Sequence, residues 1–149
     1  MTTALKTILI ADDSVEDVFI LERAIQKAGI NVSIIKAGDG QEAVDYLSGK
    51  GAFENRSAHP LPHLLLLDLK MPKMDGFDVL CWLQRQPTLK RLPVTVLTSS
   101  NQDEDVDKAY DLGANSYVVK PVSIDGYAGV VEELRDYWLK LNRPPSVVL

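Results

Sequence analysis

At 149 residues the chain has the size of one domain, long enough to bury a core and too short to add a second catalytic unit. Its 46% apolar and 25% charged content is ordinary for a globular protein, and a net charge of -5 argues against nucleic-acid binding. One cysteine, Cys81, excludes an internal disulfide, and no Cys/His cluster suits zinc; with no membrane-length apolar stretch and no signal-peptide pattern in Met1 to Lys6, a cytoplasmic setting is expected.

Along the chain, apolar runs of strand length alternate with segments of helical period. Thr7 to Ala11 reads as a first strand and Val15 to Lys27 as a helix, with Ser14 and Gly29 as its punctuation. Val32 to Ala37 follows as a strand and Gln41 to Leu47 as a helix capped by Asp39. The stretch from Ser48 to Pro62, rich in Gly, Ser, Asn and Pro, reads as a long loop. Then come strand Leu64 to Asp68, helix Phe77 to Gln86, strand Pro93 to Thr98 and helix Asp105 to Leu112, stopped by Gly113. Strand Ser116 to Val119 and helix Ile124 to Leu141, capped by Ser123, complete the series before Pro144-Pro145 prevents continuation. Strict alternation predicts an α/β fold: a doubly wound, five-stranded parallel sheet with helices on both faces. One domain is expected over 1–149, its core at about 7–141 and a tail at 142–149, with no output domain.

Charges stand where the apolar strands stop: Asp12 and Asp13 after the first, Asp68 after Leu64-Leu65-Leu66-Leu67, and Lys120 after Tyr117-Val118-Val119. Ligands of open α/β sheets bind outside the carboxyl ends of the strands, so these residues point to one site. Three carboxylates in one place repel unless a cation joins them, and Mg2+ prefers oxygen ligands of this kind. Asp68, alone at the end of the central strand, can act as a nucleophile toward a phosphoryl group, giving an aspartyl phosphate. Asp12 and Asp13 would hold the metal, Lys120 would supply compact positive charge, and the Thr98 hydroxyl could hydrogen-bond a phosphoryl oxygen.

These residues, together with Lys70-Met71-Pro72, Asp75-Gly76, Thr98-Ser99 and Tyr117 to Pro121, resemble the receiver domains of bacterial two-component response regulators. Thr98 and Lys120 lie 30 and 52 residues beyond Asp68, as in such receivers. The resemblance implies the flavodoxin-like receiver fold, with Asp68 as phosphoacceptor. It implies Mg2+ held by Asp13, Asp68 and the main-chain carbonyl of Lys70, with Asp12 acting through a water. Lys120 and Thr98 would bind the phosphoryl group, Thr98 and Tyr117 would form the switch, and Lys70 and Ser100 would tune the lifetime of the phosphoryl group. It also implies a cis Lys120-Pro121 bond. The expected partner is a sensor histidine kinase, and the chain would be a phosphoacceptor rather than a turnover enzyme. The long Ser48 to Pro62 loop, Asn115 to Val122 and Tyr137-Trp138-Leu139 make a narrower resemblance, to small stand-alone regulators paired with phytochrome-type kinases.

Other residues read as structural. Asp75-Gly76 shapes the loop from Asp68 into the next helix, and Pro72 shares that role. His59 and His63 read as solvent-facing or local hydrogen-bonders, Cys81 as a small buried hydrophobe, and Asp103-Glu104-Asp105 as a solvated helix start. The last helix carries Tyr127, Val130, Val131, Leu134, Tyr137, Trp138 and Leu141, more apolar width than one core-facing stripe needs, so a homodimer through it is expected. Rival functions are a metal-dependent phosphohydrolase, which lacks a second aspartate where Lys70 stands, a flavin or nucleotide binder, whose phosphate Asp12-Asp13 would repel, and a phosphorylation-independent binding module.

Overall fold

The structure, a computed structural model, describes residues 5–147; Met1 to Ala4 and Val148-Leu149 of the expected tail lie outside the described residues. Five parallel strands, β1 (Lys6–Ala11), β2 (Val32–Ala37), β3 (Leu64–Leu67), β4 (Val94–Thr98) and β5 (Ser116–Val119), form one sheet in the order β2-β1-β3-β4-β5. The helices between them are α1 (Val15–Lys27), α2 (Gly40–Ser48), α3 (Gly76–Gln84), α4 (Asp103–Asp111) and α5 (Ile124–Leu134). The predicted doubly wound fold is the one observed. Among the described residues no helix is long and apolar enough to cross a membrane.

The two-residue period of the strands builds two cores. Ile8 and Ile10 of β1 and Leu64 and Leu66 of β3 pack with Val18, Leu21 and Ile25 of α1 and with Tyr127 and Val131 of α5. Leu9, Ala11, Leu65 and Leu67 face the other way, onto Ala43, Val44 and Leu47 of α2, Val79, Leu80 and Leu83 of α3 and Ala109 of α4. The four leucines of β3 are all buried, as both faces of a central parallel strand must be. Each contributes about 1.5–3 kcal/mol of transfer free energy.

Local chemistry sets the helix ends. The side chains of Ser14, Asp39 and Ser123 accept from the N–H of Asp17, Glu42 and Gly126, as predicted. Asp75 does more than shape a turn: it accepts from Asp78 N–H while the Asp78 side chain accepts from Asp75 N–H, a capping box at the start of α3. The last helix departs from the expected single run to Leu141. After Leu134 the chain widens into a π-helical segment, Arg135–Leu141, in which the Leu139 carbonyl accepts from the Lys6 ammonium at 2.7 Å. The long loop is folded rather than open. Arg56 donates to the carbonyls of Tyr46 (2.8 Å), Leu47 (2.6 Å) and His59 (3.1 Å), closing the end of α2, and Tyr46 Oη donates to the Pro60 carbonyl. His59 meets Tyr46 and Phe53 edge to face, and His63 Nδ1 accepts from Thr7 N–H, so both histidines act locally.

Two glycines clamp the segment that follows β3. A Cβ at Gly76 would lie 2.3 Å from the Asp68 carbonyl oxygen and 2.8 Å from Leu69 Cα; one at Gly40 would lie 2.1 Å from the Met74 carbonyl oxygen. In each case the obstacle is backbone, which cannot swing aside as a side chain can. Gly76→Ala is therefore expected to lower stability by about 1–3 kcal/mol through overpacking. Urea unfolding monitored by circular dichroism checks this, and an unchanged midpoint would contradict the clamp.

Candidate functional site

The sheet places the charged residues with its own hydrogen bonds. Asp12 N–H donates to the carbonyl of Ala37 at the end of β2 (3.0 Å), Asp68 N–H to that of Ala11 at the end of β1 (2.9 Å) and Lys120 N–H to that of Thr98 at the end of β4 (2.7 Å). Each residue thus continues the ladder one step past its own strand. β1 and β3 are neighbours at the point where the strand order reverses, so the residues after them face one crevice.

Asp12, Asp13 and Asp68 each offer a carboxylate oxygen, and the three oxygens lie within 4.8 Å of one another. Asp12 and Asp68 are buried and Asp13 is exposed. Hard oxygen donors at this separation fit a divalent cation. Lys120, its side chain 7% exposed, sits among the acids: Nζ is 2.8 Å from Asp12 Oδ2, 2.7 Å from Asp17 Oδ2 and 3.0 Å from Asp68 Oδ2. Burial alone would lower the lysine pKa, but the bonds to Asp12, Asp17 and Asp68 and the charge of Asp68 outweigh it and hold the ammonium above the usual lysine value. Burial raises the Asp12 pKa, assisted by Asp68 and opposed by Lys120 and the Ser14 N–H. Asp17 belongs to the first turn of α1, and the sequence reading missed it. Its only signal was the Ser14-x-x-Asp17 spacing, which reads as a helix start.

The remaining predicted residues surround this centre. Lys70 N–H approaches Asp68 Oδ1 at 3.4 Å, while its exposed side chain lines a groove with Asp13, Met71, Pro72, Asp75, Phe77 and Asp105. Thr98 is buried at the end of β4. Tyr117 is half-buried and its hydroxyl donates to the Ser100 carbonyl at 2.9 Å. Ser100 Oγ in turn donates to Asp105 Oδ2 at 2.6 Å and accepts from Gln102 N–H at 3.3 Å. Asp105, expected as part of a solvated helix start, is instead tied to the loop before α4. The expected cis Lys120-Pro121 bond is not found: among the described residues every peptide bond is trans, the lower-energy form of an X-Pro bond.

Replacing Lys120 by Met leaves Asp12, Asp17 and Asp68 without their cation. In EDTA the variant is expected to lose about 2–4 kcal/mol, somewhat less than for a fully buried pair because Asp17 is partly exposed. Mg2+ should raise the melting temperature of Lys120→Met more than that of the parent, since the metal no longer competes with an ammonium. Equal metal-induced shifts in calorimetry would contradict this account of the site.

A family model described as the response regulator receiver domain matches residues 8–131. The probable methanogenesis regulatory protein FilR2 of Methanothrix harundinacea is 38% identical over 139 residues, covering 93% of this chain and 87% of its own length. Response regulator Rcp1 of Synechocystis is 36% identical over 141 residues, or 95% of this chain and 94% of its own. The structure of Rcp1 in its Mn2+-bound form aligns with a TM-score of 0.85 at 35% identity, covering 95% of this chain and 99% of that one. The phosphorylated cyanobacterial phytochrome response regulator RcpA aligns with a TM-score of 0.89 at 34% identity, over 96% of this chain and 100% of its own. With the acidic cluster and its lysine at the carboxyl edge of this sheet, the chain belongs to the response regulator receiver domains, a family of two-component signalling proteins.

Proposed function

We propose that Asp68 accepts a phosphoryl group from a phosphohistidine of a sensor histidine kinase, of the phytochrome type, and that the 149 residues act as one receiver domain whose output passes through protein contacts. The observation that carries this is the position of Asp68, within reach of both Lys120 and the two other carboxylates of the cluster. Asp13 and Asp68, with the Lys70 carbonyl, would hold Mg2+, and Asp12 would act through a water. When bound, the cation supplies neutralisation of charge on the phosphoryl oxygens. An Asp68 carboxylate oxygen forms the new O–P bond as the P–N bond to the histidine breaks. The electron pair of that bond returns to the imidazole nitrogen, and the ring, already protonated at its other nitrogen, leaves neutral. Lys120 steadies the oxygens of the transferring group, and the Thr98 hydroxyl receives one of them once it arrives.

The product carries a charge of roughly −2 where a carboxylate stood. Thr98 would be drawn toward it and Tyr117 would follow. The Tyr117–Ser100–Asp105 chain supports this, because it links β5, the loop after β4 and α4 through hydrogen bonds that a moving ring must break. Ser100 thereby acts on the lifetime of the phosphoryl group through loop position, while Lys70 overhangs the groove.

Intact-mass spectrometry after incubation with acetyl phosphate and Mg2+ should show one added phosphoryl group, absent in Asp68→Asn and in EDTA. No adduct from acetyl phosphate or a kinase donor would favour a binding module that works without phosphorylation.

We also propose a homodimer across the last helix and its π-helical extension. Tyr127 and Val131 are spent on the core, and Leu134 and Trp138 pack partly against it, but Tyr137 is 48% and Leu141 77% exposed. Val119, which ends the edge strand β5, and Val122 just after it are exposed as well. Light scattering after size exclusion should give a dimer for the parent and a monomer for Tyr137→Asp/Leu141→Asp. A monomeric parent, with and without phosphorylation, would remove the proposal.

A further inference from the structure

An ammonium has three N–H donors, and those of Lys120 meet three carboxylates: Asp17 at 2.7 Å, Asp12 at 2.8 Å and Asp68 at 3.0 Å. Two of these three acids, Asp12 and Asp68, belong to the cluster that fits a divalent cation; Asp17 does not. A bound cation would engage Asp68 directly and Asp12 through a water, and would repel the ammonium from both. A phosphoryl group then occupies an oxygen of Asp68 itself. Only the Asp17 carboxylate is left with no other task, and its contact with Nζ is the shortest of the three.

Asp17 is held independently of the strand ends. Its N–H donates to Ser14 Oγ at 3.2 Å, which fixes it in the first turn of α1. An acid in the first turn also favours the helix dipole, and Glu16 beside it serves that purpose with its side chain in solvent. The Asp17 side chain, 33% exposed, is instead turned onto a lysine that is 7% exposed. A dipole contribution needs no such contact.

We propose that Asp17 is a positioning residue for phosphoryl transfer: it tethers the Lys120 ammonium at the site while Asp12 and Asp68 are engaged by the cation and the phosphoryl group, leaving the other two N–H donors free to turn to phosphoryl oxygens. This rests on the receiver reading of Asp68. Asp17 itself takes part in no bond change; the O–P bond still forms at Asp68 and the P–N or P–O bond of the donor still breaks.

The first test observes the tether without any phosphoryl group. In a proton–nitrogen NMR spectrum tuned to ammonium groups, the parent should show a slowly exchanging Lys120 resonance, assigned by its absence in Lys120→Met, that survives saturating Mg2+. In Asp17→Asn and Asp17→Ala it should vanish into solvent exchange once Mg2+ is added, while Glu16→Gln keeps it. Its persistence in the Asp17 variants, or its loss in the parent on adding Mg2+, would overturn the tether.

The second test measures phosphoryl uptake from acetyl phosphate at saturating Mg2+. Uptake should slow about tenfold in Asp17→Ala and less in Asp17→Asn, whose amide oxygen can still accept, and should be unchanged in Glu16→Gln. Parent-like rates in both Asp17 variants would overturn the positioning role even if the resonance is lost. A parent that takes up no phosphoryl group would instead count against the receiver reading, and the NMR result alone would then decide the tether.

Discussion

The contact on which the rest of the site depends is the insertion of one ammonium among acids that would otherwise repel. Asp12, Asp17 and Asp68 all reach Lys120 within 3.0 Å, and Asp13 stands beside them in the cluster. Bringing like charges together in a partly buried crevice costs free energy that only a cation nearby can offset. That requirement accounts for a lysine directly after the last strand, where the ladder bond from its N–H to the Thr98 carbonyl holds it at the crevice. It also explains why a metal fits here without rebuilding the fold: the negative charge exceeds what one lysine neutralises.

Around this centre the protein divides into parts held rigidly and parts held by few bonds. The carboxylates ride on strand ends whose ladder bonds are buried, and the Asp68 backbone is pressed against Gly76 with no room for a methyl group. The loop after β4 is different. Its shape rests on the part-buried hydrogen bonds Tyr117–Ser100 and Ser100–Asp105 rather than on a strand ladder. Under the proposed function, a charge added at the rigid Asp68 would move this loop and not the strand ends, the physical basis for the proposed switch.

Much of this was legible in the sequence, for identifiable reasons. Buried parallel strands are uniformly apolar, so Leu64 to Leu67 could be nothing else, and the charge that ends such a run marks the crevice. Ser14, Asp39 and Ser123 were legible as caps because capping is local. What escaped was non-local or disguised. Asp17 looks like any acid in a first helical turn, and only the fold shows Lys120, 103 positions away, against it. Arg56 sits in a polar stretch that reads as open loop, and its value lies in carbonyls of α2 that the sequence does not display. The π-helical end of the last helix follows the same apolar spacing as an α-helix, so periodicity could not separate them.

The distribution of the site along the chain bears on how the protein folds. Its acids come from the ends of β1 and β3 and the start of α1, but its lysine comes only with β5, and β5 pairs with β4 alone at the far edge of the sheet. A folding intermediate with β1 to β4 formed and β5 unpaired would hold the carboxylates together without their ammonium. Such a species is selectively penalised by its own electrostatics, and ionic strength or a divalent cation relieves it. Where β5 and α5 dock onto a sheet already formed by β1 to β4, that docking is the step at which added salt should matter most, so that assembly kinetics, and not only signalling, would carry the imprint of this acidic crevice.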